Sequence, residues 1–500
     1  MKHFGLAWLP ILLTVLTTWG CGEPSSPSPG DEGDGDRPLC SVPEDCHEGA
    51  TCVDGRCVPD SEDEGDGDLE GSPTDDDPSE WSDKELSDDA QPEEEESETE
   101  DATDADMGLE SEAELDGDDS EPEPEAEEAD VEAEPFYSPD DWGPYTPGEM
   151  DFAWRDMTRG GILGKDVASK VWYPALAPPP GAARVRYMAL IEGLAYPNVA
   201  PDRSGALYPL VLFSHGNKGV NFQSFTFTSR LASHGFIIVA PNHAGNTMFD
   251  NPNDEQMAQI ALDRPVDIKF VRQQIADLNN DPASPLFQMI DLSRAGVAGH
   301  SFGGFTTLIL AGGTVNVDDA RARCLAGTEA DIFCPYIDYW PAGQTVSRPA
   351  SFAHFQAAVA MAPGGYAAFG DDGLANVTMP VLVMGGTLDE FLRPELRPTY
   401  AAVPPPKAKV EITGMGHMGF TDICRIPGVE LIPTLGDMCN PDNYINVDRG
   451  WEIINPFAIA FLRRYLKDER SMDAYLTAEF AARFPEVAFE AQLASGRARD

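Results

Sequence analysis

Residues 294–304 read RAGVAGHSFGG, and they restrict the fold more tightly than any other stretch of the chain. An apolar run over 295–298 meets Gly299-His300-Ser301-Phe302-Gly303, and a helix-like segment over 305–311 follows. This G-x-S-x-G pattern is the sequence form of a nucleophile elbow, in which a strand turns sharply into a helix and lifts a serine at the tip. The glycines leave room for a strained turn and for a close strand–helix approach that a Cβ would block. The pentapeptide alone carries little weight, so the flanking sequence has to decide.

The flanks are consistent with it. Strand-like apolar runs fall at 167–173, 185–190, 208–214, 235–240, 356–361, 380–384 and 408–412. Between them lie helical stretches at 222–233 and at 264–279, the latter with Val266, Phe270, Val271, Ile275 and Leu278 on one period. An amphipathic helix over 451–467 follows the last of these strands. Short, continuously apolar strands alternating with helices predict an α/β fold with a mostly parallel sheet covered on both faces.

In such sheets reactive groups gather at the carboxyl ends of strands. Ser301 follows one strand, Asp389 follows 380–384 through a Gly-Gly turn, and His417 follows 408–412 through Thr413-Gly414-Met415-Gly416. The order Ser, Asp, His along the chain is that of the nucleophile-elbow hydrolases and differs from both common serine-protease folds. A neutral serine is a weak nucleophile. His417 is expected to take its proton, while Asp389 orients the imidazole and stabilises its charged form. The run 208–214 ends in His215-Gly216-Asn217, so the backbone N–H groups of Asn217 and Phe302 are the expected oxyanion hole. Glu390, Asp371 and Asp372 are the substitutes if Asp389 is only a loop acid. His215, His243 and His300 read as supporting or pocket-wall groups, and His234 and His354 as surface or helix-end residues. This chemistry needs neither metal nor organic cofactor.

Over about residues 160–470 the chain resembles the dienelactone-hydrolase-like branch of the α/β-hydrolase superfamily. That branch also holds platelet-activating-factor acetylhydrolases and bacterial cutinase-like polyester hydrolases. Tyr208–Ser214 with His215-Gly216, and Arg264-Pro265-Val266-Asp267, resemble the acetylhydrolase side; 380–389 followed by Gly416-His417 is similar to the polyester-hydrolase side. The acetylhydrolases carry their acid directly after the sixth strand, where this chain has Ala362-Pro363, so Asp389 is the expected acid. The resemblance implies a serine esterase or lipase acting on a short-acyl lipid or related ester, or on a polyester. Two other readings stay open: amide hydrolysis by the same triad, and a surface protein whose hydrolase fold only binds.

The N-terminal part has a different character. The net charge of -54 is concentrated: residues 61–134 hold 37 acidic side chains against one base, Lys84, whereas from 135 onward 40 acids face 29 bases. Nothing basic is available to neutralise phosphates, so nucleic-acid binding is not expected. Residues 1–20 have a charged start and a short apolar core, as a secretory signal does. Cys21 follows Gly20, which is similar to the lipidated cysteine of bacterial lipoproteins. Its lipidation would leave an even eight of the nine cysteines to pair.

The expected organisation is therefore a signal at 1–20, a lipidated Cys21 and spacer at 21–39, and a four-cysteine module at 40–57. An acidic linker at 58–135 and the α/β domain at 136–500 follow. Cys40, Cys46, Cys52 and Cys57 read as two disulfides holding a piece with little apolar content. Zinc fits poorly there, because no C-x2-C spacing exists and His47 stands alone. The acidic repeat DEGDGD at 31–36 and 63–68 lacks the distal glutamate of a calcium loop, and so reads as a solvated stalk. In the main domain the expected pairs are Cys324–Cys334 and Cys424–Cys439, each closing a short loop beside the site. Export to an oxidising compartment, and membrane contact only through the N-terminal lipid, complete the expectation.

Overall fold

The computed structural model describes residues 136–326, 332–350, 352, 355–432 and 435–493, and an isolated hairpin at Ala50–Val53 and Arg56–Pro59. In that hairpin Cys52 and Cys57 pair across an antiparallel ladder. The expectations for the signal, Cys21, Cys40, Cys46, the acidic linker and His354 lie outside the described residues.

Ten strands form one sheet. In chain order they are β1 (Thr146–Asp156), β2 (Lys165–Ala175), β3 (Tyr196–Pro197), β4 (Tyr208–Ser214) and β5 (Ile237–Pro241). The remaining five are β6 (Ile290–His300), β7 (Ala357–Met361), β8 (Val381–Gly386), β9 (Lys407–Ile412) and β10 (Val487–Gln492). The spatial order is β10-β9-β8-β7-β6-β4-β5-β2-β1-β3. The six strands from β9 to β5 are mutually parallel, while β10 and β2 run antiparallel to them at the two flanks and β1 pairs antiparallel with β2.

The parallel strands are buried on both faces, which is why they read as unbroken apolar runs. Leu210 and Leu212 of β4 point to one side, where helices α2 (Asp254–Asn280), α3 (Phe302–Ala311), α5 (Tyr366–Leu374) and α6 (Arg393–Ala402) cover the sheet. Val211 and Phe213 point to the other, beneath α1 (Phe225–Ser233) and α7 (Val447–Leu466). A short helix α4 (Val317–Leu325) precedes the 3-10 turn Cys334–Tyr339 on the α3 side.

Three expectations change. The helix expected at 264–279 begins ten residues earlier, with Pro265 inside it. Proline at a helix start is the usual signal, but here a capping box at Asn253 and Gln256 opens the helix. The buried Met257, Ile260 and Ala261 then continue the apolar stripe upstream. The run 185–190 is a hairpin, because Met188 and Ala189 take positive φ values of 50° and 60° and turn the chain between Arg186–Tyr187 and Ile191–Glu192. His234 ends α1 but is buried, its Nε2 within 2.9 Å of Asp141 O. The flanking strands β1 and β10 give no buried apolar run in the sequence: β1 alternates polar and apolar residues over much of its length, and β10 is short and largely exposed.

Candidate active site

Ser301 sits between β6 and α3 with φ 57° and ψ -119°, a backbone conformation that costs energy for a residue with a Cβ. Two hydrogen bonds hold it there: its N–H donates to Met361 O (2.9 Å), and its carbonyl accepts from Phe305 N–H (3.1 Å). The flanking glycines allow the crossing. A Cβ on Gly303 would lie 1.9 Å from Ser214 O, and one on Gly299 would lie 2.3 Å from Gly303 O. The motif therefore reports a physical contact between the elbow and the end of β4.

His417 begins a 3-10 turn just after β9. Its Nδ1–H donates to Asp389 Oδ2 at 2.8 Å, and the other carboxylate oxygen accepts from Phe391 N–H (2.9 Å) and Leu392 N–H (2.8 Å). Burial disfavours charge on both partners. For His417, the attraction of Asp389, the hydrogen bond to it and the nearby Glu390 outweigh burial and move its pKa above 6.5. For Asp389, the His417 charge and the three hydrogen bonds outweigh burial and move its pKa down. Both directions favour the ion pair expected of a base and its orienting acid. Asp371 is engaged elsewhere, accepting from Tyr366 Oη at 2.8 Å.

Ser301, His417, Asn217 and Phe302 line one pocket of about 460 Å³ at the carboxyl ends of the parallel strands. No hydrogen bond joins the Ser301 hydroxyl to His417 in this conformation; such bonds commonly tighten only when substrate is bound. The Phe302 N–H opens helix α3 and has no intrahelical acceptor, and the helix dipole adds partial positive charge there. The loop carrying Asn217 packs against the elbow, since a Cβ on Gly216 would come within 3.4 Å of Ser301 Cβ. The pocket wall is largely apolar, with Met188, Phe222, Met248, Phe333, Phe391 and Met418 among its side chains.

Two disulfides stand where the spacing placed them, Cys324–Cys334 and Cys424–Cys439. The first ties α4 to the turn bearing Phe333 and Pro335, and the second closes the loop bearing Ile423 and Ile426, all four of which border the pocket. Among the described residues no group of three or more His, Cys, Asp or Glu side chains is arranged to hold a metal ion.

The histidines behind the site serve as struts. Gln223 donates from Nε2 to His300 Nδ1 (3.2 Å), and His300 Nε2–H donates to His417 O (3.0 Å). Burial, then the neighbouring His417, pull the His300 pKa down to about 3, so it is neutral at physiological pH. Gln223 Oε1 also accepts the Gly216 N–H at 3.0 Å, joining the Asn217 loop to the elbow. Ser214, His243 and Asp267 form a second Ser–His–Asp hydrogen-bond chain, with both links at 2.9 Å. All three are buried away from the pocket, so that chain is structural. Gln223 and Asn246 carried no signal in the sequence, whereas Arg264 and Asp267 lay in the Arg-Pro-Val-Asp run.

A parallel sheet with crossover helices, a serine in a strand–helix elbow and an acid–histidine pair at the strand ends together make an α/β-hydrolase fold. A family model described as Chlorophyllase matches residues 198–327. Platelet-activating factor acetylhydrolase from Cavia porcellus is 23% identical over 322 residues, covering 55% of this chain and 62% of that protein. The corresponding enzyme from Canis lupus familiaris is 29% identical over 163 residues, covering 25% of this chain and 35% of the relative. Cutinase 2 from Thermobifida cellulosilytica is 31% identical over 121 residues, covering 24% and 40%. The chain thus spans less than two thirds of each of these relatives.

Proposed function

We propose that this protein is a serine hydrolase that opens carboxylic esters through a Ser301 acyl-enzyme. In the first half-reaction His417 Nε2 takes the Ser301 hydroxyl proton as Oγ bonds to the ester carbonyl carbon. The carbonyl oxygen becomes an oxyanion, which accepts from the N–H groups of Asn217 and Phe302. Collapse expels the alcohol, which leaves with the proton held by His417. A water molecule, deprotonated by the same imidazole, then releases the acid and restores Ser301. The observation that carries this reading is the strained Ser301 opening onto the same pocket as His417, with His417 held by Asp389 at 2.8 Å.

The apolar wall supports an ester with an apolar acyl chain, and the names of the acetylhydrolase and cutinase relatives support a short-acyl lipid or a polyester. The two disulfides fit an oxidising compartment. The sequence of residues 1–135 supports export, lipidation at Cys21 and an acidic stalk that holds the catalytic domain away from a membrane. Among the described residues no helix is long and apolar enough to cross one.

The test is hydrolysis of p-nitrophenyl esters from acetyl to dodecanoyl by wild type and Ser301→Ala. The expected outcome is a fall in kcat of at least about 10³-fold in the variant. Equal rates in the two proteins would remove Ser301 from the reaction. A short-acyl phospholipid and a polyester film in the same assay separate the two substrate classes.

A further inference from the structure

One buried cation grips the rear of the loop that carries Asn217. Arg264, on α2, is fully buried and does not line the pocket. Its Nη1 donates to His215 O (2.6 Å) and lies 3.4 Å from Ser214 Oγ; its Nη2 donates to Gly216 O (2.9 Å) and Asn246 Oδ1 (2.6 Å). Asn246 Nδ2 in turn donates to Asn217 Oδ1 at 2.8 Å. The guanidinium also stands 4.2 Å from the centroid of the Phe302 ring. The same side chain therefore contacts the supports of both expected oxyanion donors.

The geometry of the peptide bond makes this arrangement consequential. The Gly216 carbonyl and the Asn217 N–H belong to one rigid trans plane and point in opposite directions. Arg264 Nη2 and the His215 Nδ1–H (2.8 Å) fasten the carbonyl on the core side, and the Gly219 N–H (3.1 Å) accompanies them within the turn. The Asn217 N–H, on the opposite edge of the plane, is thereby turned away from the core, and Asn217 lines the pocket onto which Ser301 opens. Without the two side-chain donors only the turn bond from Gly219 N–H holds the carbonyl, and rotation about the soft Gly216 backbone can turn the plane and aim a carbonyl at the oxyanion instead. A cation on the carbonyl also polarises the amide and strengthens its N–H as a donor.

The charge on Arg264 is maintained within the core. Burial pulls its pKa down to about 9, against the attraction of Asp267, so it stays protonated at neutral pH. Asp267 is itself paired with Arg159 (2.8 Å) and Lys165 (3.1 Å) and accepts from His243.

We propose that Arg264 is a positioning residue for the oxyanion hole: it sets the orientation of the Gly216–Asn217 peptide, and Asn246 extends its grip to the Asn217 side chain. This rests on the reading of Asn217 N–H as an oxyanion donor in ester hydrolysis.

The experiment compares wild type, Arg264→Met, Arg264→Lys and Asn246→Ala. It measures kcat and KM for p-nitrophenyl butyrate and inhibition by an alkyl trifluoromethyl ketone, whose serine adduct carries the oxyanion. Arg264→Met is expected to lower kcat and ketone affinity together by about 10²-fold, the loss typical of one oxyanion donor. KM should stay within about threefold, and the acid limb of the pH profile should not move, because the His417–Asp389 pair is untouched. Arg264→Lys, which cannot span both carbonyls, should lose about tenfold, and Asn246→Ala less. If Arg264→Met does not fold, the other two variants decide. A folded Arg264→Met or Arg264→Lys that keeps ketone affinity within about twofold of wild type overturns the inference. Undiminished activity in Ser301→Ala would instead overturn the esterase reading, so the two failures are distinguishable.

Discussion

His417 and Asp389 meet through a single 2.8 Å hydrogen bond, and on the proposed mechanism that contact sets the pH at which the site can work. The base must be neutral to accept the Ser301 proton, and its pKa lies above 6.5. The acid limb of kcat/KM should therefore fall above pH 6.5. Asp389→Asn removes the charge that holds the imidazolium, so the limb should move to lower pH while kcat drops by about 10³–10⁴-fold. A pH–rate profile checks both, and a limb that stays in place would separate Asp389 from the base. At this scale much was legible. Ser301, Asp389 and His417 each follow an apolar run and a short turn in the order that elbow chemistry requires. Gln223 and Asn246 were not legible as site residues, and Arg264 only as part of the Arg-Pro-Val-Asp run with no role attached, because nothing local marks a polar side chain whose partners come from other elements.

Among the elements, two disulfide-braced loops border the pocket. Each bond joins a short segment to its neighbour, with sequence separations of 10 and 15 residues, and on the chain-entropy account each contributes about 3 kcal/mol. Cys424→Ser with Cys439→Ser should lower stability in urea by about 2–3 kcal/mol and raise KM for longer acyl chains, with kcat on the acetyl ester less affected. This follows because Ile423 and Ile426 border the pocket while the Ser301 elbow lies on other elements. Urea titration and an acyl-length series measure the two effects. Both pairings could be read from the spacing, since neighbouring cysteines in a short loop have few alternatives. The start of α2 could not, because Pro265 imitates a helix beginning while the actual cap stands at Asn253.

Across the whole domain, His215, His234, His243 and His300 are buried with pKa values displaced downward, chiefly by burial. An unfolded chain takes up protons on these side chains below about pH 6.5, which the native one refuses, so stability falls as pH drops through that value. His417 acts in the opposite sense: its pKa is raised, and its stabilisation is present below 6.5 and lost as pH rises through the folded value. Four groups against one leave a net loss towards acid. Glu149 and Asp422, raised chiefly by burial, oppose the trend at lower pH, so the histidine effect is cleanest between about pH 5 and 6.5. The urea midpoint should be lower at pH 5.5 than at pH 7.5, and an unchanged or higher midpoint would show that these histidines are not held neutral.

The sequence by itself determined the fold class and two disulfides, and marked Ser301, Asp389, His417 and the Asn217 loop as the candidate site. Each depends on residues close together in the chain: an apolar run, a turn, a glycine where a Cβ cannot fit. Tertiary structure decided what surrounds them. It joined β4, α2 and the loop after β5 into one buried polar cluster, in which Arg264 orients the peptide in front of Ser301. A buried charge must find its hydrogen-bond partners wherever the fold brings them, and chain order carries no record of which ones those are. The elbow glycines could be read for the opposite reason: Gly303 against Ser214 O and Gly299 against Gly303 O leave space for one residue type only.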